Sequence, residues 1–318
     1  MRNVFAQIRI AAIVSTAPVV IVAASSNPAE AFNFSHIYAF GDSLSDTGST
    51  FNTTGGTFPP SLLYPGGRFS NGPVWLEYLA PRLGAPLTSF AFGGATTGTV
   101  NTTIPFLPAL QSQISSFVSA NPVADPNALY VVWAGANDYL GAGVQQPSEP
   151  ISNLTNAVLS LTGIGARNIL VANLPDLGQL PGSRNTDNAP GLTFLSNAHN
   201  QLLSATIAAL RPTVQPDVNL IPLDINFLVT DAIAHPSTYG FTNAINSCLF
   251  TACTTPDTYL FWDNLHPTTA GHEQIAEFAF STLNAQAVPE PVSTLGVLMA
   301  GALMGGLGAL KRKSACKL

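Results

Sequence analysis

A serine and a closely spaced acid and base lie at opposite ends of the central part of this 318-residue chain. Ser43 directly follows a short apolar run, so a turn can hold its hydroxyl at the carboxyl edge of a sheet. Asp263 and His266 are close enough within one turn for the carboxylate to orient the imidazole. A hydroxyl nucleophile, a base and an orienting acid are the groups that acyl transfer requires. We therefore predict Ser43, Asp263 and His266 as catalytic residues.

Four blocks of the chain occur in an order that resembles a known family. They read Phe-Gly-Asp-Ser-Leu-Ser-Asp-Thr-Gly at 40–48, Phe-Ala-Phe-Gly-Gly-Ala-Thr-Thr at 90–97, Gly-Ala-Asn-Asp at 135–138 and Asp-Asn-Leu-His-Pro at 263–267. A single Gly-Asp-Ser match is a weak signal, whereas four ordered blocks are specific. The blocks resemble GDSL esterases and lipases of the SGNH-hydrolase superfamily, over residues 36–284. Segments 173–178 and 259–263 resemble its branch of bacterial lecithinase-like and plant GDSL lipases.

The expected positions of Ser43, Gly94 and Asn137 make them parts of one site. Each follows a predicted strand, and in an open parallel sheet the ligand crevice lies outside the carboxyl ends of the strands. The backbone amides of Ser43 and Gly94 and the side-chain amide of Asn137 are therefore predicted to form an oxyanion hole. Gly93 stays an alternative to Gly94, because the sequence does not distinguish two adjacent glycines. The resemblance implies a site without cofactor or metal.

Each of these residues also fits an ordinary structural role. Ser43 could be a helix N-cap, Asn137 a turn residue and the segment 263–266 a solvated loop. Their joint order favours catalysis over these alternatives. Three acidic residues of the same blocks are interpreted as capping or supporting groups: Asp42, Asp46 and Asp138.

The other histidines and several aromatic residues are further candidates for a functional role. The histidines show no spacing typical of a metal-binding helix and are interpreted as surface or packing residues: His36, His199, His235 and His272. Aromatic residues are more often core than ligand-lining, and an acyl-site role stays open for five of them: Phe58, Tyr64, Phe69, Trp75 and Trp262. The absence of a Gly-x-Ser-x-Gly elbow and of a Walker or dinucleotide loop disfavours an α/β-hydrolase or a nucleotide-binding enzyme.

Short apolar runs alternate with amphipathic segments in the centre of the chain. Strands are predicted at 37–40, 89–92, 128–134, 168–173 and 218–223, and helices at 110–119, 151–163, 192–210 and 270–283. This alternation is typical of a parallel sheet covered on both faces, so we predict one three-layer α/β/α domain at 32–287. The resemblance implies the flavodoxin-like fold of SGNH hydrolases with a central parallel five-stranded sheet. Loops around the cleft are predicted at 50–68, 180–190 and 234–258.

The amino-terminal segment 1–31 is predicted to be a secretory signal peptide. A basic start precedes the apolar run 10–24, which is short for a membrane span, and an Ala-x-Ala cleavage site ends at Ala31. The mature chain is therefore predicted to begin at Phe32. A retained membrane anchor is the alternative.

The carboxyl-terminal segment 288–318 is predicted to be a sorting signal. It begins with Val-Pro-Glu-Pro, continues as the uncharged run 292–310 and ends in a basic tail from residue 311. At about 1.5 Å per helical residue this run reaches ~28 Å, enough to cross a bilayer core. The order resembles the PEP-CTERM signal, which implies transient membrane association and removal by an exosortase during surface export in Gram-negative bacteria. A permanent transmembrane anchor is the alternative, and both imply an exported domain.

Charge and cysteine content agree with export. Charged residues make up 9% of the chain, and the net charge is −6 without a basic cluster in the body, which argues against nucleic-acid binding. Cys248 and Cys253 lie in the predicted exported domain and could close a small disulfide loop, whereas Cys316 follows the basic tail. The sequence leaves this pairing open.

The GDSL resemblance implies a serine esterase or lipase that hydrolyses small-molecule or lipid esters through an acyl-enzyme, and the two terminal segments predict that it is exported. A carbohydrate O-acetylesterase that acts on envelope polysaccharide is one alternative. A non-catalytic surface or matrix protein with the same fold is the other. The sequence does not indicate the natural substrate, the acyl-chain length or the oligomeric state.

Overall fold

The computed structural model describes residues 33–287 of the chain. The predicted signal peptide at 1–31 and the predicted sorting signal at 288–318, with its apolar run, basic tail and Cys316, lie outside the described residues. Between residues 33 and 287, no helix has the length and apolar character needed to span a membrane.

Five parallel strands form the central sheet, which confirms the predicted sheet type and strand number. In chain order they are β1 (Ile37–Gly41), β2 (Leu87–Ser89), β3 (Leu129–Trp133), β4 (Asn168–Ala172) and β5 (Asn219–Leu223). Their spatial order is β2-β1-β3-β4-β5, and every neighbouring pair is parallel. β1 pairs with β3 from Ile37 opposite Leu129 to Gly41 opposite Trp133. The carboxyl ends of these two strands therefore meet at one edge of the sheet.

The predicted strand at 89–92 is wrong in its bounds, because β2 ends at Ser89. The chain beyond β2 still runs alongside β1. The Phe90 amide donates to a β1 carbonyl at 2.7 Å, and the Phe92 amide donates to the Gly41 carbonyl at 3.2 Å. The two glycines that follow are thereby carried to the end of β1, where Ser43 begins the next loop.

Helices cover both faces of the sheet, which confirms the predicted three layers. In chain order they are α1 (Ser49–Thr53), α2 (Trp75–Leu83), α3 (Leu110–Ala120), α4 (Ala136–Leu140), α5 (Ser148–Gly163), α6 (Ala189–Leu210), α7 (Ile225–Ala234) and α8 (Thr269–Ala287). One face of the sheet packs against α2, α7 and α8, through residues such as Trp75, Leu228 and Ala276. The other face packs against α3, α5 and α6, around Phe40 and Leu154.

The sequence prediction missed four helices, α1, α2, α4 and α7, and α1 occupies the start of the predicted loop at 50–68. α1 and α4 have only five residues each, too few to show a helical period. An internal proline obscures the helical pattern of α2, whose start is fixed by the Val74 amide, which donates to the Glu77 carboxylate at 3.0 Å. α2 ends at Gly84, which has a left-handed φ of 63° that suits glycine. α7 follows β5 with only Asp224 between them, so the two elements read as one apolar run. Asp224 caps α7 by accepting from the Phe227 amide at 3.1 Å.

A small parallel sheet occupies part of the predicted loop at 234–258. Its strands are β6 (Asn243–Ser247) and β7 (Tyr259–Phe261). Cys248 follows β6 directly and forms a disulfide with Cys253, with the two Cα atoms 4.9 Å apart. β7 then leads into the turn that holds Asp263. The disulfide and the small sheet therefore anchor the segment that precedes this turn.

Candidate active site

Ser43 lies in the loop between β1 and α1, at the carboxyl edge of the central sheet. Gln113 of α3 fixes the end of β1, because its side chain donates to the Gly41 carbonyl at 2.8 Å and accepts from the Gly41 amide at 2.9 Å. The sequence did not single out Gln113. α1 begins at Ser49, and Asp46 caps it by accepting from the Ser49 amide at 2.6 Å. Asp46 therefore has the capping role expected of it, and Ser43 is not the N-cap.

Ser43, His266 and Asp263 form a continuous hydrogen-bonded chain. His266 Nε2 lies 2.9 Å from Ser43 Oγ, and His266 Nδ1 lies 2.7 Å from Asp263 Oδ2. Both distances suit a nucleophile, a base and a group that orients the base. Asp263 is 6% exposed and His266 is partly buried, so these two side chains are not solvated, although Asn264 and Leu265 between them are exposed. The fold thus brings together three residues that the sequence separates by up to 223 positions.

A tight turn after β7 fixes Asp263 relative to His266. Asp263 Oδ1 accepts from the backbone amides of Leu265 at 2.8 Å and His266 at 2.7 Å. The Trp262 amide donates to the His266 carbonyl at 2.8 Å and closes the turn from the other side. The carboxylate and the imidazole are therefore held in one orientation by their own backbone.

Tyr64 makes a contact with Asp263 that no pattern in the sequence predicts. Its hydroxyl donates to Asp263 Oδ2 at 2.8 Å, on the same oxygen that contacts His266. The two residues are 199 positions apart, so no local spacing relates them. From the sequence, Tyr64 was considered only for an acyl site.

The ionisation of Asp263 and that of His266 support each other. Burial opposes the charge of Asp263, but the charge of His266 and the hydrogen bonds of the turn lower the pKa of Asp263 to about 2. Burial also acts to lower the pKa of His266, but the charge and hydrogen bond of Asp263 outweigh it and raise that pKa. Asp263 is therefore ionised at neutral pH and stabilises an imidazolium at position 266.

Asp42 is a buried carboxyl group directly before Ser43. It is 1% exposed, and its Oδ1 accepts from the Leu44 amide at 3.1 Å, which shapes the loop around Ser43. Burial raises the pKa of Asp42 to about 7. These contacts agree with the supporting role interpreted for Asp42 from the sequence.

The two adjacent glycines have different hydrogen-bonding states. The Gly93 amide donates to Asp46 Oδ2 at 3.1 Å and to Thr50 Oγ1 at 2.8 Å. Within residues 33–287, no acceptor contacts the Gly94 amide. Gly94 has a left-handed φ of 79°, and a side chain there would collide with Thr103. Of the two amides, only that of Gly94 has no hydrogen-bond acceptor among the described residues.

Asn137 lies in the first turn of α4, after β3. Its Nδ2 donates to the Ala95 carbonyl at 3.1 Å and lies 3.5 Å from Asp42 Oδ2. The second distance is at the outer limit of a hydrogen bond, so one Nδ2 hydrogen is only weakly held. Asp138 accepts from the Thr97 amide at 2.9 Å and fastens α4 to the glycine block, in agreement with the supporting role interpreted for it.

Ser43, Asn137 and His266 line one small pocket of about 40 Å³. Most of the remaining lining is aliphatic and comes from Leu44, Ala136, Leu140, Pro175, Leu177, Leu180 and Leu265. Gly94 does not line this pocket, but its neighbour Ala95 contacts Asn137. A hydroxyl, an amide and an imidazole therefore converge in largely apolar surroundings, where polar interactions are strong.

The five aromatic residues considered for an acyl site do not line this pocket. Trp75 is fully buried in the core and packs edge-on against Trp133. Phe69 packs on the imidazole of His266, with ring centroids 5.4 Å apart. Phe58 packs edge-on against Phe69, the Tyr64 hydroxyl donates to Asp263, and the Trp262 indole donates to the Leu63 carbonyl. The side chains that line the pocket are mainly aliphatic instead.

The other four histidines lie apart from one another. His36 is hydrogen-bonded to a threonine side chain, and His235 pairs with an aspartate on the surface. Burial lowers the pKa of His199 to about 4, and its Nδ1 lies 2.9 Å from the Tyr139 hydroxyl. Burial likewise lowers the pKa of His272 to about 3. In the part of the chain that the structure describes, no group of three or more His, Cys, Asp or Glu side chains could hold a metal ion.

The chain is similar to several bacterial proteins. It is 36% identical over 238 residues to the phosphatidylcholine-sterol acyltransferase of Aeromonas hydrophila, which covers 72% of this chain and 68% of that protein. It is 28% identical to the thermolabile hemolysin of Vibrio parahaemolyticus, with 78% of this chain and 63% of that protein covered. Est24, a carbohydrate acetylesterase from Sinorhizobium meliloti of known structure, aligns over 79% of this chain and 99% of its own with a TM-score of 0.48 and 16% identity.

The acyltransferase and the hemolysin are longer than the regions that match this chain. The chain spans less than two thirds of the hemolysin's length. The family model described as GDSL-like Lipase/Acylhydrolase matches residues 37–279, which contain every predicted site residue and all five strands of the central sheet. The chain belongs to this GDSL-like lipase/acylhydrolase family of hydrolases that act on ester bonds.

Proposed function

We propose that this protein is an exported serine esterase or lipase that hydrolyses carboxylic esters with Ser43 as the nucleophile. The unbroken hydrogen-bond chain from Ser43 through His266 to Asp263 is the observation that carries this proposal. The His266 imidazole contacts both the Ser43 hydroxyl and the ionised Asp263 carboxylate, which supports the proposed roles of base and orienting acid. Family membership supports the same reaction class.

The proposed reaction proceeds through an acyl-enzyme. Ser43 Oγ attacks the ester carbonyl while His266 Nε2 takes the hydroxyl proton, and His266 then gives this proton to the leaving alcohol. In the second half, His266 removes a proton from water, which attacks the acyl carbon, and His266 then returns this proton to Ser43 Oγ as the bond to the acyl group breaks and the acid is released. Asp263 holds the Nδ1–H tautomer of the base and stabilises the imidazolium in both halves.

The oxyanion of the tetrahedral intermediate is assigned to three donors. These are the backbone amides of Ser43 and Gly94 and the side-chain amide of Asn137. Gly94 is preferred to Gly93, because the Gly93 amide is occupied by Asp46 and Thr50. Removal of one such donor typically costs about 2.7–4 kcal/mol of transition-state stabilisation.

Covalent labelling by a fluorophosphonate tests this proposal. The unaltered protein and Ser61→Ala, which alters an exposed serine of another loop, are expected to take up one probe molecule each. Ser43→Ala is expected to take up none, and peptide mapping is expected to locate the adduct on Ser43. Labelling of Ser43→Ala at the unaltered rate, or no labelling of any variant, would contradict the proposal and favour a non-catalytic protein with this fold.

The size of the pocket favours a second candidate function, that of a carbohydrate O-acetylesterase. A volume of about 40 Å³ beside Ser43 accommodates a small acyl group more readily than a long chain. A panel of p-nitrophenyl esters, phospholipids and acetylated sugars separates the candidates. A preference for acetyl groups on sugars would support the second function, whereas a preference for long-chain esters or phospholipids would support the lipase.

Export and sorting are part of the proposal and rest on the segments 1–31 and 288–318. The disulfide between Cys248 and Cys253 supports an oxidising location for the domain, such as the cell envelope, the cell surface or the medium. An exosortase-type machinery is the proposed partner, with transient membrane association through the carboxyl-terminal segment. Mass spectrometry of the protein from a native-type host is expected to show ends near Phe32 and before residue 292, and intact termini would contradict this assignment.

A further inference from the structure

We propose that the Tyr64 hydroxyl is a positioning group for the pair formed by Asp263 and His266. This inference rests on the proposed function and adds a residue to it. Tyr64 does not line the pocket beside Ser43 and is not assigned any contact with substrate. Its effect on the reaction is transmitted through Asp263.

The geometry places two donors on one carboxylate oxygen. Asp263 Oδ1 is already bound by two backbone amides of its own turn. Oδ2 accepts from the Tyr64 hydroxyl at 2.8 Å, and His266 Nδ1 lies 2.7 Å from the same oxygen. Since Asp263 is almost fully buried, water does not readily replace a donor that is lost. Tyr64 therefore fixes the oxygen on which the orientation of the imidazole depends.

The loop that carries Tyr64 is fastened to the same turn at a second point. The Trp262 indole donates to the Leu63 carbonyl at 3.1 Å, one residue before Tyr64. The Tyr64 ring lies 6.3 Å from the ring of Phe69, which in turn packs on His266. A hydrogen bond at the preceding residue and a ring contact of its own thus restrain Tyr64, and a positioning group requires such restraint.

The hydroxyl also changes the charge that His266 experiences. Burial and the nearby Asp263 carboxylate raise the pKa of Tyr64, so the phenol stays protonated and donates. A donor on Oδ2 disperses the carboxylate charge and weakens its stabilisation of the imidazolium. Other ionisable groups that act on His266 are Asp42 from the loop after β1 and His272 from α8, and neither contacts Tyr64. Loss of the Tyr64 hydroxyl should therefore raise the pKa of His266.

Tyr64→Phe tests the inference, because it removes one oxygen and keeps the ring. The pKa of His266, followed by NMR with nitrogen-labelled histidine in the absence of substrate, is expected to rise by about half a unit. The acidic limb of the pH–rate profile is expected to move to higher pH by the same amount. The kcat is expected to fall about tenfold with KM unchanged, since a hydrogen bond to a charged group is lost.

Tyr239→Phe is the matched control. Tyr239 donates to Asp231 Oδ2 at 2.6 Å, and Asp231 also pairs with His235, so the same three residue types meet outside the site. This control is expected to leave kcat and the acidic limb unchanged. Incorporation of 3-fluorotyrosine at position 64 keeps the ring and the fold and strengthens the donor. It is expected to shift the pKa of His266 downward.

Each outcome decides for or against the inference. An unchanged pKa of His266 in Tyr64→Phe and in the fluorinated protein would overturn it. A fall in kcat without any shift in that pKa, reproduced by Trp262→Phe, would also overturn it, since loop packing alone would then explain the loss. The NMR titration needs no turnover, so these results are independent of the fluorophosphonate experiment that tests the proposed function.

Discussion

The two carboxylate oxygens of Asp263 make separate sets of contacts. Oδ1 binds the backbone amides of Leu265 and His266, whereas Oδ2 faces the imidazole and the Tyr64 hydroxyl. The first set fixes the turn, and the second fixes the base. A single acidic side chain thus links the local backbone to the chemistry assigned to Ser43.

Asp263→Asn is predicted to depress turnover steeply with little change in KM. The carboxamide can present an N–H to His266 Nδ1 and so favour the tautomer that cannot accept the Ser43 proton. In triads where this occurs, kcat falls by about 10⁴. Steady-state kinetics measures the effect, with His266→Ala as the comparison. If Asp263→Asn keeps most of its turnover while His266→Ala loses it, the site is a dyad of Ser43 and His266.

The pH dependence of the rate is predicted to have an acidic limb controlled by His266. Only the neutral imidazole accepts the Ser43 proton, and Asp263 raises the pKa of His266 despite its burial. The kcat/KM is therefore expected to fall as pH decreases through this raised pKa and to reach a plateau above it. A pH-stat measurement with an uncharged ester tests this, and metal chelators are expected to have no effect. A rate that is independent of pH across the imidazole range would contradict the assignment.

At the scale of elements, the site is assembled from the carboxyl ends of parallel strands. Ser43 follows β1, Asn137 follows β3 and the glycine pair follows β2. Since β1 lies between β2 and β3, these three connections meet at one edge of the sheet. The turn with Asp263 and His266 comes from outside this sheet, after β7. The sheet therefore positions the proposed nucleophile and oxyanion donors, and the small parallel sheet leads into the turn that holds the proposed base.

Asp224→Ala is predicted to destabilise the fold through α7. Asp224 accepts from the Phe227 amide at 3.1 Å and from the Asn173 side chain at 2.7 Å. Loss of an N-cap lowers the free energy of unfolding by about 0.5–2 kcal/mol. Urea unfolding followed by circular dichroism measures this decrease. Asp217→Ala, which removes an exposed ion pair with Arg167, is the control and is expected to cost less than about 1 kcal/mol. Equal losses in the two variants would argue against a capping role.

Elements with an unambiguous pattern were the ones that the sequence predicted well. β3 is an uninterrupted apolar run from Leu129 to Trp133, and α3 begins at Leu110 as predicted. α7 was missed because Asp224 alone separates it from β5. β2 was misplaced because the more apolar residues that follow it, 90–92, stay hydrogen-bonded to β1 beyond the end of the strand. The contact between Tyr64 and Asp263 depends on the fold of a long loop, which no local pattern specifies.

At the scale of the whole molecule, residues 32–287 are predicted to be soluble and active without detergent. Both strongly apolar terminal runs lie outside the family match at 37–279. The hydrophobic clusters on the two faces of the central sheet are formed by residues within 33–287. Expression of this shortened chain, followed by size-exclusion chromatography and an esterase assay, tests the prediction. Aggregation that is relieved only by restoring the run 292–310 would show that this run belongs to the fold.

The turnover of Ser43→Ala tests the central claim most directly. This substitution removes the nucleophile but little buried area, so the circular dichroism spectrum and the unfolding midpoint are expected to match those of the unaltered protein. Hydrolysis of p-nitrophenyl acetate is expected to fall at least about a thousandfold, because the oxyanion donors alone supply only residual catalysis. Turnover near the unaltered rate in a correctly folded Ser43→Ala protein would contradict the assignment of Ser43 as the nucleophile.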